Sequence, residues 1–251
     1  MPSYRHSVSY WCFSKIPLAE FAKHAKGMGI DSIELLLPED WPTIRREGLV
    51  CSVSQPVDTI PDSMNRRENH DRLIPLFEKR LKDCADAGVP NLVCFSGNRA
   101  GISDEEGLEN TVAGYKKIIG IAERVGVTLC LELLNSKINH PDYQCDRSAW
   151  GVEVCKRISS ERFKLLYDIY HMQVMEGDII RTIREIHPYI AHYHTAGNPG
   201  RNEIDDSQEL NYPAIMRAIQ ATGFTGYVGQ EFVPTGDPLT SLREAIRICT
   251  V

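Results

Sequence analysis

The segments FKLLYDIY at residues 163–170, DIIRTIREIH at 178–187 and YIAHYHT at 189–195 carry the pattern that decides the fold. The outer two are apolar runs of strand length, whereas the middle segment has the pattern of a helix. Strands that are joined through a helix pair in parallel, and such strands are buried on both faces. The stretch therefore predicts one β-α-β unit.

Outward from this stretch, the same unit recurs along the whole chain. Eight units in about 250 residues are what a closed (β/α)8 barrel requires. The sequence therefore predicts a single-domain (β/α)8 TIM barrel, an α/β fold that uses residues 1–251. The eight strand-like runs, each followed by a helical segment, are His6–Phe13, Ser32–Leu37, Leu49–Gln55, Asn91–Ser96, Val127–Leu134, Phe163–Tyr170, Tyr189–Thr195 and Gly226–Phe232.

The main alternative fold is an open, doubly wound parallel sheet. Its usual sign is Gly-x-Gly-x-x-Gly after the first strand, but Ser14-Lys15-Ile16-Pro17 contains no glycine. No linker rich in Pro, Gly and Ser divides the chain. We expect one continuous helix from Ser103 to Val125. The polar loop Pro56–Glu68 is longer than most connections, and long loops are often functional lids.

The composition excludes several classes of protein. Hydrophobic residues make up 42% of the chain and charged residues 25%, as in ordinary folded proteins. No run approaches the roughly 20 apolar residues of a membrane span, so we expect no membrane partner. The net charge of −6 opposes binding to nucleic acid. The eight cysteines form no Cys-x-x-Cys pair and no apolar signal segment follows the first residues, which predicts a cytoplasmic protein with reduced thiols.

Ionisable residues lie at or near the ends of the last four runs, where a barrel of this kind places its catalytic groups. These are Glu132, Asp168, His194 and Glu231. Each is embedded in apolar residues, where an ionised group needs a partner. A divalent cation among them would relieve their mutual repulsion, and mixed oxygen and imidazole ligands suit Mn2+, Mg2+, Co2+ or Zn2+. His192 lies on the same side of its strand, and we assign it a structural role because His194 is nearer the strand end.

The stretch YDIYHMQVMEG at residues 167–177 closely resembles the corresponding stretch of hydroxypyruvate isomerases. These enzymes belong to the sugar isomerase/epimerase superfamily, which has a xylose isomerase-like TIM barrel. Three further segments match the same family: LELLN at 131–135, NPGRNEI at 198–204 with ELNY at 209–212, and GQE at 229–231. The resemblance implies that Glu132, Asp168, His194 and Glu231 bind one divalent metal ion. It also implies that Glu132 and Glu231 are the catalytic acid/base pair.

The resemblance further places His171 and Arg201 at the oxygens of the substrate. It implies a small sugar or sugar-acid substrate and isomerisation through a metal-bound enediolate, with hydroxypyruvate converted to tartronate semialdehyde as the nearest reaction. The metal would be Mn2+, Mg2+ or Co2+, with Zn2+ as a further option. Homodimers and homotetramers are common among the enzymes that it resembles, and either assembly is open here.

Several departures leave the substrate open. Ser54-Gln55 stands where some hydroxypyruvate isomerases carry His-Asn, and His194 stands where many relatives carry Gln but ketose 3-epimerases carry His. A ketose 3-epimerase of the tagatose/psicose type, a dehydratase and a non-catalytic sugar-binding barrel are therefore alternatives. A zinc-dependent apurinic endonuclease is disfavoured, because Val53-Ser54-Gln55 and Phe95-Ser96-Gly97 offer no histidine ligands.

Overall fold

The structure is a computed structural model and describes residues 2–251. It contains eight strands and ten α-helices among these residues. The strands are β1 (Arg5–Ser9), β2 (Ser32–Glu34), β3 (Val53–Ser54), β4 (Asn91–Cys94), β5 (Thr128–Glu132), β6 (Phe163–Asp168), β7 (Ile190–Thr195) and β8 (Tyr227–Gln230). The helices are α1 (Leu18–Gly27), α2 (Trp41–Arg45), α3 (Arg67–Asp86), α4 (Asp104–Lys116), α5 (Ile119–Val125), α6 (Ser148–Ile158), α7 (Ile169–Met175), α8 (Ile179–Ile186), α9 (Tyr212–Ala221) and α10 (Pro238–Cys249).

The strands form one parallel sheet that curls into a nearly closed barrel, as predicted. Its order is β2-β1-β8-β7-β6-β5-β4-β3. The remaining seam between β2 and β3 is bridged in parallel at Ser32–Val50 and Leu36–Ser54. There the backbone N–H of Leu35 donates to the carbonyl of Val53 at 2.9 Å. Parallel strands around one axis bring all their carboxyl ends to the same mouth.

Most of the strands are shorter than the predicted runs, and two of the runs continue directly as helical structure. The first run is a strand only to Ser9 and continues as a 3-10 turn over Tyr10–Phe13. The sixth ends at Asp168, whose carboxylate accepts a hydrogen bond from the backbone N–H of His171 and so begins α7. An apolar run of strand length cannot be told from a buried helix by its periodicity, and here the cap decides between them.

The predicted helix from Ser103 to Val125 is likewise wrong in its continuity, because it is divided into α4 and α5. Its start is correct, since the Ser103 hydroxyl accepts from the N–H of Glu106 at 3.1 Å. At the division, the N–H of Lys117 bonds to the carbonyl of Gly114, three residues back. Such tight bonds are typical of a helix end.

The structure also shows the state of the cysteines and the contacts that hold the long loop Pro56–Glu68. All eight cysteines are free thiols, and seven of them are buried, as is usual for free cysteines, which pack as small apolar residues. The loop Pro56–Glu68 is attached to the end of β4, because the carboxylate of Asp58 accepts from Ser63 Oγ at 2.5 Å and from the N–H of Phe95 at 2.9 Å. Its role as a lid stays a prediction.

No helix within residues 2–251 is long and apolar enough to cross a membrane.

Candidate metal centre

The four residues predicted as metal ligands converge at the mouth of the barrel. One ligand atom from each of Glu132, Asp168, His194 and Glu231 lies within 4.8 Å of the other three, and all four residues are buried. Asp168 and His194 are direct neighbours in the register of β6 and β7. Nδ1 of His194 is 2.7 Å from Oε2 of Glu231 and 3.6 Å from Oε1 of Glu132. The alignment of parallel strand ends therefore creates the cluster.

The two histidines of β7, His192 and His194, differ in their contacts with this cluster. Nε2 of His194 donates to Oε1 of Glu34 at 2.7 Å, so that Nδ1 faces the carboxylates of Glu231 and Glu132. Within residues 2–251, Nδ1 is buried and has no partner in hydrogen-bond geometry, although Glu231 is close. His192 lies outside the four-residue cluster, and its Nε2 is 3.0 Å from Oε2 of Glu34.

The donor set fits a divalent cation. Three buried carboxylates and one imidazole nitrogen aimed at a common point are the ligands that Mn2+, Mg2+, Co2+ and Zn2+ accept. An imidazole lone pair buried without a hydrogen-bond partner is costly unless a ligand takes it. The metal would therefore be held by Glu132, Asp168, His194 and Glu231, without a contribution from His192.

The charges of the cluster are strongly coupled. Burial raises the pKa of Asp168 to about 7, although the nearby Arg201 acts in the opposite direction. Burial and the charge of Glu231 also raise the pKa of Glu132. Burial alone would raise the pKa of Glu231 too, but His194 and Arg201 hold it at about 2. Two adjacent carboxyl groups with opposite shifts are typical of sites that exchange protons.

Arg201 lies directly beside the cluster. Its Nη2 is 2.6 Å from Oε2 of Glu231 and 3.1 Å from Oδ2 of Asp168. Its backbone is in the left-handed region, with φ of 59°, and its N–H is held by the carbonyl of Gly197 at 2.9 Å. A non-glycine residue in this conformation persists only where the surroundings enforce it. The loop after β7 is thus built to direct this cation inward.

His171 presents one N–H to the site. Its Nδ1 accepts from the backbone N–H of Asn135 at 3.2 Å and from the Asn135 side-chain amide at 2.6 Å. Burial and the charge of Arg201 hold the pKa of His171 well below its ordinary value, so the ring is neutral and its proton is on Nε2. That N–H lies 2.9 Å from Nη1 of Arg201. An arginine can only donate, so these two N–H groups repel each other at this distance unless an oxygen acceptor separates them.

A cavity of about 470 Å3 opens beside these groups. The lining residues include the carboxylates of Glu132 and Glu231, the guanidinium of Arg201 and the imidazole of His140. Its apolar lining residues include Trp11, Leu35, Ile60, Val93, Phe95 and Leu134. The indole N–H of Trp11 donates to Oε1 of Glu231 at 2.7 Å. The structure thus brings all six predicted site residues to the edge of one cavity or directly behind it.

Sequence reasoning missed the parts played by Glu34 and Asn135. Both lie in segments that the sequence predicts as strand ends, without a role of their own. The available signal for Glu34 was an acidic residue within a short apolar strand, where an ionised group needs partners. No sequence signal indicated that Asn135 would meet His171, because that contact depends on how the segment after β5 packs against α7.

The comparisons with known proteins agree with this fold. The family described as xylose isomerase-like TIM barrel matches residues 22–250, and the chain belongs to it. A human protein named putative hydroxypyruvate isomerase is 31% identical over 123 residues, which are 49% of this chain and 44% of that protein. The match therefore spans less than half the length of this relative.

Two further relatives align over nearly the whole chain. A 2-oxo-tetronate isomerase of Haemophilus influenzae is 25% identical over 242 residues, covering 92% of this chain and 93% of its own. A solved structure named AP endonuclease, family 2, from Brucella melitensis superposes with a TM-score of 0.83 and 24% identity, over 96% of this chain and 97% of that one. At this identity the superposition shows the fold alone.

Proposed function

We propose that this protein is a divalent-metal-dependent isomerase that moves a carbonyl group along a small 2-oxo sugar acid. The observation that carries the proposal is the convergence of Glu132, Asp168, His194 and Glu231 within 4.8 Å at the edge of a cavity. The names of the relatives support the substrate class, because they include hydroxypyruvate isomerases and 2-oxo-tetronate isomerases. The nearest reaction is the conversion of hydroxypyruvate to tartronate semialdehyde.

The residues present can perform the proton transfers of such a reaction. Isomerisation of hydroxypyruvate removes a proton from C3 and returns one to C2, with an enediolate between the two steps. Glu132 and Glu231 both line the cavity and serve as the acid/base pair. Glu231 is held in place by the indole of Trp11 and by Arg201. A bound divalent ion supplies Lewis-acid polarisation of the substrate's carbonyl.

The cationic side of the cavity suits an acid substrate. Nε2–H of His171 and the guanidinium of Arg201 point at the same region, and both can donate to a carboxylate or to a developing oxyanion. The apolar walls exclude water from the reacting carbons, which strengthens these contacts. Cytoplasmic location, a single domain over residues 1–251, and a homodimeric or homotetrameric assembly are parts of the same proposal.

The test is turnover by the purified protein with Mn2+, measured by NMR in D2O. We expect hydroxypyruvate and 2-oxo-tetronates to be isomerised with deuterium incorporated at carbon. Glu132→Gln and Glu231→Gln should each lower turnover by about 1,000-fold, since general acid–base catalysis contributes roughly 100- to 10,000-fold. Glu161→Gln is the control, because this carboxylate is on the surface and pairs only with Lys164 among the described residues.

Two results would overturn the proposal. Exchange confined to C3 of ketoses would make the protein a ketose 3-epimerase. Binding of sugars without turnover, unaffected by Glu132→Gln and Glu231→Gln, would make it a non-catalytic sugar-binding barrel.

A further inference from the structure

Glu34 is a buried carboxylate that lies under the candidate metal centre. It is the last residue of β2 and is fully inaccessible to solvent. Its Oε2 accepts from Ser7 Oγ at 2.5 Å and from Ser52 Oγ at 2.8 Å. Its Oε1 accepts from Ser9 Oγ at 3.1 Å and from Nε2 of His194 at 2.7 Å. Each carboxylate oxygen of Glu34 therefore accepts two hydrogen bonds.

The barrel leaves room for this carboxylate by means of a glycine. A Cβ atom added to Gly229 on β8 would lie 2.2 Å from Oε1 of Glu34. Any larger residue at this position would displace the carboxylate from His194. Gly229 is also the register partner of His194 across β7 and β8, so the carboxylate and the imidazole meet at the point where β8 has no side chain.

The contact determines which nitrogen of His194 carries the proton. Because a carboxylate can only accept, Nε2 must be the donor, and a neutral ring then has its lone pair on Nδ1. Nδ1 is the atom that faces Glu132 and Glu231. Ligating histidines commonly donate their second N–H to a carboxylate, which fixes the tautomer and the orientation of the ring.

We propose that Glu34 is a positioning residue that fixes the ring and tautomer of His194 so that Nδ1 binds the divalent cation. The inference rests on the proposed metal-dependent function, but it makes its own statement about metal affinity and proton position. Ser7, Ser9 and Ser52 hold Glu34 in place. His192 also lies against the carboxylate, with its Nε2 at 3.0 Å from Oε2, and it is outside the four-residue cluster.

The experiment measures Mn2+ binding by calorimetry and the His194 tautomer by 15N NMR of the metal-free protein at alkaline pH, where the ring has only one proton. In Glu34→Gln we expect Mn2+ to bind 10- to 100-fold more weakly, the usual effect of removing such a partner, and the Nε2–H form of His194 to lose its dominance. Glu161→Gln is the matched control, because it makes the same change at a surface carboxylate that pairs only with Lys164 among the described residues. Its affinity should change less than about threefold.

A second variant keeps the proposal testable if Glu34→Gln is poorly folded. Gly229→Ala leaves Glu34 in the chain but displaces its carboxylate, and it should weaken Mn2+ binding in the same direction. Unchanged Mn2+ affinity and an unchanged tautomer in a folded Glu34→Gln variant would overturn the proposal. A stoichiometry of two Mn2+ ions per chain in the parent protein and one in Glu34→Gln would also overturn the proposal, because Glu34 would then be a ligand itself.

These readouts separate the two proposals. A protein that binds Mn2+ through Nδ1 but turns over no sugar acid would disprove the proposed reaction and leave the role of Glu34 intact. The tautomer measurement needs neither metal nor substrate, so it reports on Glu34 even where the isomerase activity fails.

Discussion

Replacement of Asn135 by Asp should remove the hydrogen-bond donor that His171 presents to the substrate. The Asn135 amide is oriented by its neighbours, since Oδ1 accepts from the N–H groups of Ile138 at 3.1 Å and Asn139 at 2.8 Å. Its NH2 group is therefore the part that meets Nδ1 of His171, at 2.6 Å. In Asn135→Asp a carboxylate oxygen takes that place, Nδ1 acquires the proton, and Nε2 becomes an acceptor.

The magnitude follows from the bond that is lost. A hydrogen bond to a charged group contributes about 1.5–3 kcal/mol, and the enediolate oxygen is such a group. Since about 1.4 kcal/mol corresponds to a factor of ten, we expect kcat/KM to fall by roughly 10- to 100-fold. The assay is run at pH 8, where His171 is neutral because burial and Arg201 hold its pKa well below the ordinary value.

Asn139→Asp is the matched control for the added charge. Asn139 is exposed on the same loop, and its Oδ1 accepts from the Asn135 amide at 2.7 Å and from the hydroxyl of Tyr170 at 2.9 Å. A carboxylate retains both contacts, so the control should keep kcat/KM within about threefold. Full activity of Asn135→Asp with its proton moved to Nδ1 would refute the reasoning, and so would an equal loss in the control.

Three further results are expected. Burial raises the pKa of Asp58 to about 7. Because this pKa is higher in the folded than in the unfolded protein, the free energy of unfolding falls as pH rises from about 4 to 7, by up to about 4 kcal/mol. Urea unfolding of Asp58→Asn should therefore show a smaller loss between pH 5 and pH 8, whereas parallel curves would exclude this effect. Tyr143→Phe removes a hydroxyl that accepts from the N–H of Ser96 at 3.0 Å and donates to the carbonyl of Glu132 at 2.9 Å, and it should lower the free energy of unfolding by about 1–3 kcal/mol, seen as a lower urea midpoint. Mn2+ at 100 times its Kd should stabilise the parent protein by about 2.7 kcal/mol in thermal unfolding; EDTA should reverse the rise in Tm, and an unchanged Tm would argue against a metal centre.

The fold and the candidate ligands could be predicted because both depend on local patterns. Apolar runs separated by helical segments indicate parallel strands, and parallel strands of a barrel end at one mouth. A residue at such an end, such as Glu132 or Asp168, can therefore be placed near its counterparts without knowledge of the packing. The same periodicity could not separate Ile169-Tyr170 from a strand, because only the capping contact of Asp168 shows that a helix begins there.

The contacts between distant segments could not be predicted from the sequence. Glu34 and His194 are 160 positions apart in the chain, and Asn135 and His171 are 36 apart. Hydrogen bonds at such separations depend on strand register and side-chain direction, which composition and periodicity do not contain. The vacant side-chain position at Gly229 is an example, since its meaning appears only when Glu34 lies across from it.

The sequence by itself thus determined the barrel, the mouth at which the strand ends meet and the four ionisable residues that gather there, because these follow from the alternation of strands and helices. The tertiary structure alone decided which partner each ring nitrogen of the two histidines meets. Nδ1 of His194 is left for a cation because Glu34 takes Nε2–H, and Nε2–H of His171 is left for an oxygen because Asn135 donates to Nδ1. The physical reason is that a neutral imidazole has one proton, and its partners across the barrel determine which nitrogen carries it.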